Sequence, residues 1–205
     1  MIGIIEYGSG NVAAIINLLK QKKIEHILTS NPVELRQADR FLLPGVGAFD
    51  PTIEHLTGSG ILDTLRDEVH GKGKNILGIC VGMHLLAEGS DEGNCKGLGW
   101  VPGRVREIDT GTLAQRPHLP HMGWNSVHLI REDPLFSGID AEQGFYFLHS
   151  YFFDAADKEH ILAQVNYGTE LPCVVRNGQV YGVQFHPEKS HSNGMRLLQN
   201  FAELP

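Results

Sequence analysis

The chain has 205 residues, 41% of them hydrophobic, and a formal charge of −7 from 17 basic and 24 acidic side chains. That length suits a single domain spanning 1–205, and that apolar fraction fills a core, which sets disorder aside. The acidic balance, with no basic cluster larger than Lys20, Lys22 and Lys23, argues against nucleic acid as a partner, since phosphate binding needs a basic surface.

No apolar run approaches the ~20 residues that span a bilayer, so no membrane association is expected. The N-terminus, MIGIIEYGSGN, lacks a basic region and a long apolar core and is not read as a signal peptide. Three widely spaced cysteines, Cys80, Cys95 and Cys173, point to reduced thiols and a cytoplasmic location.

In chain order, residues 2–6 read as a strand ending at Tyr7-Gly8. Residues 11–22 have a helical period through Val12, Ile15, Ile16 and Leu19. A second strand is expected at 25–29 and a third at 39–43, stopped by Pro44-Gly45. A helix follows at 61–69, a fourth strand at 75–79, and a helix at 82–88. Strands alternating with helices predict βαβ units and a mostly parallel sheet flanked by helices, an α/β fold. From Gly103 onward the runs are strand-like: 104–108, 126–130, 145–153, 161–166, 173–176 and 180–185. Asn177-Gly178 signals a hairpin between the last two. These strands are expected to extend the same sheet in antiparallel fashion, and 194–204 closes the chain as a helix.

The stretch GICVGMHLL at 78–86 places Cys80 between two glycines, after a strand and before a helix. This is the cysteine form of a nucleophile elbow, in which a sharp turn exposes the central side chain at the carboxyl end of the sheet. Crowding there demands small neighbours, hence Gly78 and Gly82. The start of a helix favours thiolate, and the next N–H, on Val81, suits an oxyanion. A buried, inert cysteine in a β-α turn is the alternative.

A thiolate that transfers acyl groups needs a proton shuttle. His84 is local, and Cys80, His84 and Glu88 recur every four residues, one face of a helix. His186 is distant, in Gln184-Phe185-His186-Pro187-Glu188 at the end of a strand. Pro187 favours an extended His186, and in an extended segment Glu188 points the same way, where it orients the ring. Strand ends converge on the crevice that holds the elbow, so His186 with Glu188 is the preferred pair.

Taken together, GICVGMHLL and YGVQFHPEKS resemble the class I (triad) glutamine amidotransferases. Tyr7-Gly8-Ser9-Gly10-Asn11, Leu43-Pro44-Gly45-Val46-Gly47-Ala48-Phe49, Pro120-His121-Met122-Gly123-Trp124-Asn125 and Phe147-Leu148-His149-Ser150-Tyr151 narrow the resemblance to the glutaminase subunits of imidazole glycerol phosphate synthases. The resemblance implies the class I glutamine amidotransferase fold and hydrolysis of L-glutamine through a thioester on Cys80, with His186 moving protons and Glu188 orienting it. It implies oxyanion donors at Val46 and Val81, the former after a backbone flip, and a glutamine site at Gly47, His84, His149, Ser150 and Tyr151. It also implies no cofactor and no metal. The partner would be a (β/α)8-barrel cyclase, bound as a heterodimer through Asn11, Trp124 and Lys189 and fed ammonia for histidine biosynthesis.

Two departures bear on this. The family usually carries glutamine where His84 stands, so His84 either replaces it, weakens substrate binding, or leaves a non-catalytic cyclase-binding subunit. Lys96-Gly97-Leu98-Gly99-Trp100 and Phe185-His186-Pro187-Glu188-Lys189-Ser190-His191 are similar to a paralogous branch that feeds a surface-sugar amidotransferase. Rival classes are weaker. Gly8-Ser9-Gly10-Asn11-Val12-Ala13 fits a dinucleotide loop, but the acidic residue expected downstream is missing. His118, His121 and His149 suggest a metal, but Pro117 and Pro120 break any helix there. A peptidase or another thiol hydrolase would use the same Cys80 and His186.

Overall fold

A computed structural model describes residues 1–113 and 118–205; Pro117 lies outside them. Its strands are β1 (Ile2–Ile5), β2 (His26–Thr29), β3 (Arg40–Gly45), β4 (Asn75–Cys80), β5 (Gly103–Glu107) and β6 (His121–Asn125). They continue with β7 (His128–Leu129), β8 (Phe145–His149), β9 (Tyr151–Ala155), β10 (Ile161–Tyr167), β11 (Thr169–Asn177) and β12 (Val180–Val183). Eight of them form one sheet in the order β2-β1-β3-β4-β12-β11-β10-β7. Pairing is parallel from β2 to β12 and antiparallel from β12 to β7. The central parallel strands are buried along their length, as apolar runs such as Ile2-Gly3-Ile4-Ile5 require of a covered sheet.

The flanking helices are α1 (Val12–Gln21), α2 (Pro32–Leu35), α3 (Phe49–Gly58), α4 (Leu62–Arg66), α5 (Val81–His84) and α6 (His191–Glu203). α4 runs on into a π-helical turn over Asp67–Gly71. α2 and α3 escape a reading of the sequence. The first is one turn long, started by Asn31 Oδ1 accepting from the Val33 N–H at 2.8 Å. The second buries Phe49, Thr52, Ile53 and Leu56 at helical spacing, but Thr52 weakens the apolar stripe and Pro51 sits in the first turn, where it is tolerated.

Several boundaries move. β3 continues through Pro44 and Gly45, paired with Ile79 and Cys80, because β1 borders it only as far as Leu42 and asks no N–H of Pro44. The expected helix at 82–88 shrinks to α5. Its carbonyls are taken by a returning segment, with Leu98 N–H donating to Leu85 O and Trp100 N–H to Leu86 O. Glu88 is therefore exposed, off any helix, and the Cys80–His84–Glu88 stripe does not exist. The run 145–153 breaks at Ser150 into β8 and β9, which pair with β6 and β5 in two separate two-stranded sheets rather than extending the main one. The hairpin turns on Gly178-Gln179, with Gly178 alone at positive φ, so glycine holds the first central position instead of the second. Cys80, Cys95 and Cys173 are all free. Among the described residues no helix is long and apolar enough to cross a membrane.

Candidate active site

β4 delivers Cys80 at the carboxyl edge of the sheet, and the chain turns at once into α5. Cys80 itself has φ +55° and ψ −114°, a conformation that costs a non-glycine residue roughly 1–3 kcal/mol. The turn is possible only because the residues two before and two after Cys80 lack side chains. A Cβ on Gly82 would lie 1.8 Å from Leu43 O, and one on Gly78 would lie 2.6 Å from Gly82 O. Glycine on both sides of Cys80 thus follows from β3, β4 and α5 crossing in contact.

A cavity of about 290 Å³ opens over the elbow, lined by Val46, Gly47, Cys80, Val81, His84, Glu92, Pro120, Leu148, His149, Ser150, Tyr151 and His186. β12, paired directly with β4, ends at Val183, and three residues on His186 meets Cys80 from this adjacent strand. His186 Nδ1 is 2.9 Å from Glu188 Oε1, and both side chains are buried. Burial works against a charged His186, but hydrogen bonds and charge from Cys80 and Glu188 outweigh it and push its pKa up to about 10. Glu188 meets the His186 ring, but not from an extended segment. His186 is extended, yet Pro187–Lys189 forms a 3₁₀ turn, and that turn folds the carboxylate back to the ring. Ser190 braces the corner, donating to His186 O at 2.6 Å and accepting from Tyr146 N–H at 3.0 Å.

His84 is buried, with Nε2 2.7 Å from Gln184 Oε1. Because that oxygen only accepts, Nε2 carries the hydrogen and Nδ1 keeps a lone pair. Burial holds the ring's pKa down to about 4, so it is a neutral imidazole and does not offer a cation to a carboxylate. His84→Ala would strand the Gln184 amide and leave a hole, with a loss of roughly 2–4 kcal/mol. A thermal melt is expected to fall by roughly 5–15 °C, whereas His84→Gln, which keeps a donor for Gln184, stays within a few degrees of the parent.

Val46 is 44% exposed, and its N–H does not face Cys80. It donates to Ser9 Oγ at 2.9 Å, while Ser9 Oγ donates to Val46 O at 3.0 Å. Ser9 is thus a latch on this loop that sequence reasoning passes over, since only the loop-to-loop contact reveals it. Glu92 escapes it for the same reason. It lines the cavity and accepts from Phe49 N–H at 2.9 Å.

The three expected interface residues lie on one side of the site. Trp124 is 43% exposed and stacks on His191 at 5.3 Å. Lys189 is exposed with Nζ 5.3 Å from the Tyr146 ring, and α1, entered at the exposed Asn11, packs against the 187–189 turn. Met122, on the strand of Trp124, is 62% exposed. Among the described residues no cluster of three or more His, Cys, Asp or Glu side chains suits a metal. His121 and His149 instead turn a nitrogen on each other at 3.0 Å.

A mostly parallel sheet with a strained cysteine elbow and a buried histidine-carboxylate pair beside one small cavity is an arrangement suited to thiol-dependent acyl transfer. The family model for glutamine amidotransferase class-I matches residues 3–204, and the chain belongs to that family. It is 48% identical to imidazole glycerol phosphate synthase subunit HisH of Bdellovibrio bacteriovorus and 43% identical to that of Leptospira borgpetersenii, each over 100% of both chains. Among solved structures, a glutamine amidotransferase from Thermotoga maritima superposes with a TM-score of 0.63 at 16% identity, covering 98% of this chain and 82% of that one. That likeness concerns the fold alone.

Proposed function

We propose that this chain is the glutaminase subunit of an imidazole glycerol phosphate synthase, with Cys80, His186 and Glu188 as its catalytic residues. What carries the reading is the meeting of Cys80, strained at its elbow, with His186 on the wall of one small cavity, the His186 ring held from behind by Glu188.

The Cys80 thiolate attacks the side-chain carbonyl carbon of glutamine. The His186 imidazolium gives its proton to the departing nitrogen, ammonia leaves, and a thioester remains on Cys80. Neutral His186 then takes a proton from water as the water attacks the thioester carbon, the C–S bond breaks, and glutamate leaves with Cys80 restored as thiolate and His186 as imidazolium. Glu188 holds the ring through Nδ1 throughout. The Val81 N–H, at the first position of α5 where no intrahelical acceptor exists, binds the oxyanion. Val46 supplies the second donor once the Gly45–Val46 peptide leaves Ser9 and turns about Gly45 ψ and Val46 φ, a rotation eased by the missing side chain of Gly45. Gly47, His84, His149, Ser150 and Tyr151 enclose the glutamine.

The latch on Val46 gives the partner its role. A cyclase barrel docking over Asn11, Trp124, Met122 and Lys189 covers the site, frees the Val46 peptide and receives the ammonia inside a cytoplasmic heterodimer. Glutamate release from L-glutamine is expected to rise roughly 5–150-fold when the cyclase of the same organism and its nucleotide ligand are both added. Hydrolysis at the same rate with and without them would remove the partner from the mechanism, and none under any condition would remove the glutaminase.

A further inference from the structure

The pocket wall opposite His186 contains a second histidine pair, and its hydrogen-bond directions are fully determined. His149 Nδ1 lies 2.8 Å from Tyr151 O. A carbonyl only accepts, so Nδ1 carries the hydrogen and His149 Nε2 keeps a lone pair. His121 Nδ1, 3.0 Å from that lone pair, must donate to it. His121 Nε2 is then an acceptor, and Asn125 Nδ2 donates to it at 3.3 Å. The other Asn125 hydrogen goes to Asn166 O at 2.9 Å. The chain ends on a backbone carbonyl at both sides, and no member can change tautomer without breaking a bond.

Packing alone does not ask for this. The His121 ring is stacked between Phe147, at 4.8 Å and 17°, and Tyr167, at 4.1 Å and 21°, a slot that phenylalanine would fill equally well. What only an imidazole provides there is a donor toward His149 and an acceptor toward Asn125. His149 is the member that reaches the cavity, beside Ser150 and Tyr151.

We propose that His121 and Asn125 are positioning residues of the glutamine pocket: they lock His149 as its Nδ1–H tautomer, and His149 in turn holds the Tyr151 carbonyl and with it the Ser150–Tyr151 wall. The proposal rests on the cavity being the glutamine site. It also keeps one charge in one place. A further proton on His149 Nε2 would meet the His121 N–H at 3.0 Å, and one on His121 Nε2 would meet the Asn125 N–H at 3.3 Å, so this wall stays neutral while His186 carries the imidazolium. His84, the remaining titratable group felt by His149, is likewise neutral.

Two substitutions separate the hydrogen bond from the packing. His121→Phe keeps the stack and removes the donor, whereas His121→Asn puts an amide N–H close to the place of Nδ1 and loses the stack. With the full chain and its cyclase present, His121→Phe is expected to raise the KM for glutamine roughly tenfold with kcat changed less than about threefold, and His121→Asn to recover most of that KM. Nitrogen-15 NMR of the histidine rings reads the lock directly, without relying on turnover. In the parent chain His149 should show a protonated Nδ1 and a bare Nε2, and in His121→Phe a mixture of tautomers. A His121→Phe protein with parental KM and an unchanged His149 tautomer would overturn the proposal. So would a KM loss in His121→Asn with none in His121→Phe, which would reduce His121 to packing. Should the parent chain fail to hydrolyse glutamine, the NMR result still decides the lock, and the failure falls on the glutaminase reading.

Discussion

Cys80→Ala is expected to lower glutamine hydrolysis by roughly 10⁴-fold or more, because the reaction loses its nucleophile and the thioester with it. His186→Ala should cost a comparable amount, and the double variant little more than either alone, since the two act as one unit. Steady-state glutamate release in the presence of the partner measures all three, and additive losses would break the assignment. Strain adds a second readout. Cys80→Gly is as inactive as Cys80→Ala, but glycine adopts φ +55° without penalty while alanine does not. The glycine variant should therefore melt a few degrees above the alanine variant. A higher melt for alanine would mean that the elbow stores no strain.

The parts of the fold legible in the sequence are those set by local rules. Val12, Ile15 and Leu19 repeat at a helical period, β1 and β4 are apolar runs bounded by turns, and Gly78 and Gly82 announce the crowding around Cys80. What stays hidden depends on distant partners. Nothing local stops α5 at His84. Residues 97–101 stop it, by returning to take its carbonyls. Nothing in Phe145–Phe153 says that Ser150 is a break between strands of different sheets, because the apolar alternation runs on either side of it. An extended-chain argument pairs His186 with Glu188, and a 3₁₀ turn makes the contact instead. His118, His121 and His149 have the composition of a metal site, and only the pairing of β6 with β8, which sets His121 opposite His149, turns two of them into a hydrogen-bonded chain. Ser9 reaches Val46 from a loop far away in sequence, a relation that no spacing encodes.

The same buried imidazoles make the protein sensitive to acid. His84, His121 and His149 are 3%, 3% and 6% exposed, and all are neutral when folded. Burial brings His84 and His121 down to about 4, and burial with the neighbouring His121 brings His149 down to about 3, from an ordinary value of 6.5. Below pH 6.5 the unfolded chain binds protons at these positions that the folded chain refuses, so folding stability rises with pH across this window and is lost as pH falls. Each shift is worth roughly 3–5 kcal/mol by linkage, and the three together on the order of 10 kcal/mol, comparable to the whole stability of a domain this size. Glu92, pushed up by burial, works in the opposite direction but is one group against three. Asp50 and Asp91, held low by their hydrogen bonds, titrate only below the window. His186 stands apart. Its raised pKa stabilises fully below 6.5 and fades toward pH 10, so it shapes the alkaline side alone. Urea unfolding should therefore show stability falling steeply between about pH 6.5 and 4.5, at up to roughly 4 kcal/mol per pH unit, mostly above the range where the carboxylates protonate. His121→Phe should make that slope shallower by about one proton. A stability that stays flat to within ~1 kcal/mol from about pH 7 to 4.5 would mean that these imidazoles charge without resistance in the fold, and that neither the His84–Gln184 bond nor the His121–His149 chain holds them neutral.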